Sequence, residues 1–353
     1  MIRQLRGASG GSTSRLISAQ LPDILRENQN LKLSWSDLPA SQLDLGGQPL
    51  SLDQTLGCGQ AFRWARIGPE CWEGVAGGLV WRLGLDGDSL TVQSAPPSSP
   101  VGARAFLARY LRLDLDVRAA QAEMSSAHPA AAESIRQFGG LRILRQEPVE
   151  TLLTFTMATA TNVPRVTRNV REVSDRFGTV IALVDGVVHR DFPTVDQILR
   201  APVEDLYGPC NLAYRARSIH AVARALDERG TGWAAGLAGG PYSDAHEALD
   251  ALPFFGPKVS DCVCLFGCGF DQAVPVDIHV WAIAHELYGD QIPTRTLTTN
   301  TYARIGALFR STFGPWAGWA QQYLFAARRA VPIRERFRPG VSTVSRPAKS
   351  AVG

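Results

Sequence analysis

The sequence predicts an α+β chain: a small antiparallel β lobe followed by a larger, mostly helical body. Three observations carry this expectation. From residue 43 to about residue 92, hydrophobic residues come in short runs separated by Gly and Pro: Phe62-Arg63-Trp64, Cys71-Trp72-Glu73-Gly74-Val75 and Leu79-Val80-Trp81-Arg82-Leu83. A Pro/Ser-rich stretch over 94–101 ends that region. From about Ala103 to about Arg329 the apolar spacing becomes helical. The 353-residue length suits two lobes with tails. The expected division is a disordered or extended segment at 1–40, the β/α lobe at 41–148, the helical body at 149–330 and a flexible basic tail at 331–353.

Composition narrows the class. Hydrophobic residues make up 45% of the chain, enough for a real core, and no apolar run reaches the ~18 residues that a membrane span needs. The net charge of +3 is compatible with a polyanionic partner without establishing one. Six cysteines without disulfide-scaffold spacing fit a reducing compartment: cytoplasm or nucleoid in a bacterium, nucleus or organelle in a eukaryote, not the secreted space. Cys262, Cys264 and Cys268 cluster, but in an apolar helical stretch with no fourth ligand nearby, so no metal is expected. Lysine occurs only at positions 32, 258 and 349, and every other fixed cation is arginine. Lys258 is thus the one lysine away from the ends, an amine that can lose its proton where guanidinium cannot.

The segment around Lys258 carries the densest pattern. Asp244-Ala245-His246-Glu247 reads as a capping box opening a helix that runs to about Leu252. Pro253-Phe254-Phe255-Gly256-Pro257 then makes a tight turn, and a second helix is expected from near Val259 to Gly267. Two helices joined by such a hairpin can hold a DNA phosphate on backbone N–H groups, although many helix pairs turn this way. Nineteen positions after Lys258, Val274-Pro275-Val276-Asp277 places a carboxylate where a helix N-cap belongs, with Trp281, Ala284 and Tyr288 on one face beyond it. Alone, Asp277 is explained as a cap. Paired with Lys258 it suits displacement at a sugar C1′: the amine attacks as a base leaves, and the carboxylate steadies the developing positive charge.

Leu252-Pro253-Phe254-Phe255-Gly256-Pro257-Lys258-Val259-Ser260-Asp261-Cys262, followed by Pro275-Val276-Asp277-Ile278-His279-Val280-Trp281, closely resembles the helix-hairpin-helix DNA glycosylases, specifically the 8-oxoguanine glycosylase/lyase branch. The resemblance spans about residues 42–328. It implies a TBP-like β lobe before the helical body, and excision of 8-oxoguanine opposite cytosine followed by abasic-site cleavage. It further implies no cofactor, damaged duplex DNA as partner, and a monomer.

Residue by residue, the resemblance makes Lys258 the Schiff-base nucleophile and Asp277 the catalytic carboxylate, with His279 beside it. Phe325 and Cys262 would sandwich the flipped base, Gln321 would read its Watson–Crick edge, and the Gly59 carbonyl would meet the N7 hydrogen that guanine lacks. Arg165 and Arg215 would contact the widowed cytosine, with Tyr214 as wedge and Asn162 close by. Phe255, Gly256 and Val259 would bring the hairpin to the backbone. Four positions depart from the family pattern: Ala160 in place of a gap-filling asparagine, Phe254 in place of a hairpin glycine, Pro257 in place of a residue with an N–H, and Arg328 in place of an acid. The rival readings are a relative acting on another oxidised or alkylated purine, and a non-catalytic DNA-structure binder.

Overall fold

The computed structural model describes residues 32–159, 161–230, 232–292 and 296–330. Ala160, the segment 1–31 and the tail 331–353 lie outside the described residues, and with them the expectations placed there.

Order begins earlier than residue 41. Strand β1 (Lys32–Leu33) leads into Trp35 and Leu38, which are buried with Val80, Ala95 and Ile181 in a small cluster of their own. A five-stranded antiparallel sheet follows. Its strands are β2 (Ser41–Asp44), β3 (Trp64–Gly68), β4 (Cys71–Ala76), β5 (Leu79–Asp86) and β6 (Ser89–Ala95), in the order β2-β6-β5-β4-β3. Gly77 and Gly78, both at positive φ, close the two-residue β4–β5 hairpin in a conformation that a side chain would strain. Trp81, Leu83 and Leu90 on the inner face are fully buried. Between β2 and β3 lies a helix that the sequence pattern does not show, α1 (Leu52–Leu56), capped by the Ser51 hydroxyl. At five residues it is too short to display a helical period.

Helix α2 (Pro100–Tyr110) starts three residues before Ala103, because Ser99 caps it and Pro100 is pre-set for its first position. The body continues through α3 (Val117–Ala127), α4 (Pro129–Phe138), α5 (Pro148–Met157) and α6 (Val163–Phe177). A hairpin, β7 (Val180–Val184) and β8 (Val187–Arg190), interrupts the helical run, and β7 pairs in parallel with β1. Five consecutive apolar residues followed by Asp185-Gly186 cannot be told from helix by period alone. The chain then forms α7 (Val195–Arg200), α8 (Val203–Tyr207), α9 (Arg215–Arg229), α10 (Trp233–Gly236) and α11 (Tyr242–Asp250). It ends with α12 (Pro257–Val263), α13 (Ile278–Tyr288), α14 (Thr299–Phe313) and α15 (Ala317–Ala330).

Three boundaries differ from expectation. Helix α11 begins at Tyr242 after Pro241 with no side-chain cap, so Asp244 lies in its first turn and the capping box does not form. Helix α12 begins at Pro257 rather than near Val259, since proline suits a first helical position. It then widens into a π turn over Cys264–Cys268.

Packing also cuts across the linear division at residue 148. Val117, Ala120, Met124, Ala130 and Ala131 of α3 and α4 share one core with Tyr323 and Leu324 of α15. Gln121 donates to the Tyr323 hydroxyl at 2.9 Å, and Trp316 to Glu123 at 2.7 Å. The sheet, α1 and α2 form a separate core around Trp81 and Leu107.

Candidate active site

The hairpin before α12 keeps its turn without the expected glycine. Phe254 takes φ +62 with its ring 63% exposed. A left-handed residue of this kind costs about 1–2 kcal/mol. Pro257 forfeits nothing, because an N–H at the first helical position has no intrahelical acceptor. Val259, at the same turn, is engaged within the helix. Its N–H donates to the Gly256 carbonyl at 2.9 Å and the residue is 8% exposed, since the helix starts two residues early and Val259 is already in its first turn. Among the described residues the amides of Gly256 and Lys258 donate to no backbone carbonyl and remain available.

Lys258 is half-buried, with Nζ 5.6 Å from the centre of the Phe155 ring. Phe155 stacks on Phe266 at 5.6 Å and meets Phe62 edge-on at 5.5 Å, so an aromatic floor runs from beneath the amine to the loop carrying Gly59. One turn below Lys258, Cys262 is buried; desolvation pushes its thiol up to about 11, with the Lys258 charge and a Lys258 hydrogen bond pulling the other way and the Asp277 charge adding to the rise. It is therefore a neutral wall. Asp277 caps α13: Oδ1 accepts from His279 N at 2.8 Å and Val280 N at 2.9 Å. Among the described residues Oδ2 has no hydrogen bond, and no ion pair within 4 Å joins Asp277 to Lys258. Both charges converge on Cys262.

What holds the two segments together is a group the sequence reading missed. Asp261, 2% exposed on α12, accepts from the Tyr242 hydroxyl at 2.6 Å and the Tyr302 hydroxyl at 2.5 Å. The Tyr302 hydroxyl also accepts from Val276 N at 3.3 Å, one residue before Asp277. Burial raises the Asp261 carboxyl above the usual carboxylate range, against the pull of the two tyrosine hydrogen bonds. An acid within the apolar run Val259–Val263 was the available signal.

Helix α15 closes the opposite wall. Gln321 is buried, and its Oε1 accepts from Gln322. Phe325 meets His279 edge-on at 5.9 Å, and the Arg329 guanidinium lies 5.6 Å from the Phe325 ring. Arg329 donates to the Cys58 carbonyl at 3.2 Å, tying α15 to the Gly59 loop. Gln60 anchors the other side of that loop, donating to the Thr55 and Arg142 carbonyls and accepting from Leu144 N. Where an acid was expected, Arg328 is buried at 2% and pairs with Glu286 on α13 at 2.6 Å. The strut between the two helices is thus present with arginine on α15 and the acid on α13.

Gly59 sits at φ +93, and a Cβ there would come within 2.8 Å of Val163 Cγ2 at the start of α6. Alanine would be strained by its backbone and would push on the partly buried Val163. Gly59→Ala is expected to lower excision of a damaged base at least tenfold while binding to undamaged duplex changes less than twofold. Equal excision rates in single-turnover assays would take the Gly59 carbonyl out of recognition.

The rim residues are less uniform. Tyr214 is 55% exposed at the start of α9. Arg215 is 4% exposed, stacks 4.5 Å over the Tyr214 ring and donates to the Thr159 carbonyl at 2.8 Å, so it braces the loop before α6. Asn162 caps α6 by accepting from Arg165 N at 3.0 Å, and the Arg165 side chain is exposed. Phe255 is half-buried against the body core. Phe254, Tyr214 and Ile278 are exposed apolar side chains.

Among the described residues no three metal-ligating side chains converge, and no helix is long and apolar enough to cross a membrane. Residues 42–152 match the model of the 8-oxoguanine DNA glycosylase N-terminal domain, and residues 156–305 that of the HhH-GPD superfamily of base excision DNA repair proteins. The chain is 32% identical over 292 residues to N-glycosylase/DNA lyase OGG1 of Arabidopsis thaliana, covering 81% of this chain and 79% of the relative. It is 32% identical over 212 residues to an N-glycosylase/DNA lyase of Saccharomyces cerevisiae, covering 53% of this chain and 56% of that one. MBOgg1, solved with a low-affinity DNA ligand, superposes with a TM-score of 0.73 at 25% identity over 82% of this chain and 96% of its own. The Clostridium acetobutylicum 8-oxoguanine glycosylase/lyase, solved with duplex DNA, shares the fold with a TM-score of 0.73 at 24% identity over 83% of this chain and 97% of its own. With both halves matched in order and a relative aligned over most of its length, the chain belongs to the 8-oxoguanine DNA glycosylases of the HhH-GPD superfamily.

Proposed function

We propose that this protein excises 8-oxoguanine opposite cytosine from duplex DNA and then cleaves the abasic strand, working as a monomer in the compartment that holds the genome. The observation that carries the reading is the half-buried Lys258 amine over the Phe155 floor, with Asp277 presented at the start of α13. The β lobe, taken as 41–148, would supply the recognition loop, and the helical body, taken as 149–330, the catalytic helices.

The lesion flips out of the stack into this pocket. Phe325 and Cys262 face its two sides, Gln321 its Watson–Crick edge, and His279 supports Phe325. The Gly59 carbonyl accepts from N7–H of the lesion; guanine presents a lone pair there, a contrast worth a few kcal/mol in a dry pocket. Lys258, freed of its proton with help from Asp277, forms the C1′–N bond as the C1′–N9 bond breaks and its electron pair leaves with the base. Asp277 balances the positive charge on the sugar during that step. Ring opening gives a Schiff base, and loss of a C2′ proton expels the 3′ phosphate. This chemistry calls on no metal or organic cofactor. The Gly256 and Lys258 amides suit a backbone phosphate, with Phe255 seating the hairpin, while Arg165, Asn162, Tyr214 and Arg215 address the cytosine strand.

The test is incubation with duplexes carrying one 8-oxoguanine or one alkylated purine opposite the same base. Strand cleavage at 8-oxoguanine is expected. Removal of the alkylated purine with 8-oxoguanine untouched would replace the lesion assignment.

A further inference from the structure

Outside the pocket, a groove of about 510 Å³ runs between α9 and the hairpin, lined by Arg217, His220, Arg224, Glu228 and Pro253 among others. Arg217, His220 and Arg224 fall at helical spacing on one exposed-to-intermediate face of α9. Neither the Arg217 nor the Arg224 guanidinium has a hydrogen-bond or ion-pair partner among the described residues, even though Glu228 follows Arg224 by one turn. Some helix-surface arginines are neutralised locally, Arg136 by Glu133, Arg171 by Asp175 and Arg200 by Asp196, whereas Arg217 and Arg224 line one groove together. Two extended, uncompensated guanidinia in a concave site point to an anionic occupant.

The position says which one. Helix α9 begins at Arg215, next to the Tyr214 wedge, and the far wall of the groove is Pro253, the residue before the exposed Phe254. The groove therefore continues the DNA face beyond the hairpin. Seven residues of helix separate the two arginines by about 10.5 Å, far enough apart to hold two different phosphates. We propose that this groove is a second contact with the DNA backbone, in which Arg217 and Arg224 each hold a phosphate beyond the flipped nucleotide. The proposal rests on the reading of the protein as a duplex-DNA enzyme. Phosphate contacts of this kind add affinity and fix register without reading sequence.

Salt dependence tests it. Affinity for a duplex carrying an uncleavable tetrahydrofuran abasic analogue is measured by fluorescence anisotropy at several KCl concentrations. Comparison is between wild type, Arg217→Gln/Arg224→Gln and a control with the same charge change, Arg136→Gln/Arg200→Gln. Each lost phosphate contact should lower the slope of log K against log salt by about 0.9. Raising KCl from 50 to 200 mM should then cost the groove variant about twelvefold less affinity than it costs wild type, and the control should follow wild type. In excision assays the groove variant should need more enzyme to reach its plateau, whatever the damaged sequence. A slope equal to that of wild type overturns the proposal and leaves the groove to another anion, such as an acidic peptide. A shift shared by the control does the same, since it would report net charge alone. Failure of the wild type to bind or cleave damaged duplex would instead sink the functional reading, so the two failures are distinguishable.

Discussion

Borohydride added during reaction with a duplex holding one 8-oxoguanine opposite cytosine is expected to trap wild-type protein covalently on DNA, and Lys258→Gln to give no adduct. Reduction fixes the Schiff base only if an amine has displaced the base. The chain offers three lysines and an N-terminal amine, and only Lys258 lies in the helical body, over Phe155 and one turn above Cys262. Glutamine is one atom shorter, polar and uncharged, and α12 keeps its proline start and the Asp261 hydrogen bonds, so the variant should fold. Excision should fall by on the order of 10³ or more, the scale of losing a nucleophile. Denaturing electrophoresis reads the adduct, and peptide mapping locates it. An adduct of equal yield in the variant, or one mapped to Lys32, Lys349 or the N-terminal amine, would remove Lys258 from the role.

Asp277→Asn is expected to retain folding and binding to abasic DNA while losing about 10²–10³ in single-turnover excision. The geometry separates the two functions of this side chain. As a cap it offers one oxygen to the amides of His279 and Val280, and asparagine caps nearly as well as aspartate. As a catalytic group it must carry negative charge when C1′ turns cationic, which an amide cannot do. Thermal denaturation should show a melting temperature close to that of wild type, and the loss should appear in the excision rate at saturating enzyme. A variant that excises at a near-normal rate would leave Asp277 as a cap and nothing more.

Much of this site was legible in the sequence because its chemistry demands particular atoms at particular places. Lys258 stood out as an amine among arginines, Asp277 as an acid at a helix start after Pro275, and Gly59 as a glycine in a turn that the structure holds at φ +93. Short apolar runs separated by Gly and Pro revealed the sheet, because its strands are short and joined by tight turns such as Gly77-Gly78. Hairpin β7–β8 stayed hidden because its apolar run has no period that separates it from helix. Helix α12 starts two residues before the expected Val259, because Pro257 suits a first helical position.

By itself the sequence determined the layer order, the β lobe before the helical body, and the reactive pair with its nineteen-residue spacing. These are local properties: side-chain period, turn chemistry and the acid–base character of single residues. Only the tertiary structure decided what surrounds the pair. Phe155 beneath Lys258, Asp261 bridging Tyr242 and Tyr302, and Arg329 joining Phe325 to the Gly59 loop are contacts between segments far apart in the chain. The membership of α3 and α4 in the body core and the Arg328–Glu286 strut are of the same kind. Such contacts depend on which buried polar and aromatic groups meet when the helices pack, and no pattern along the chain encodes the partner of a residue on another helix.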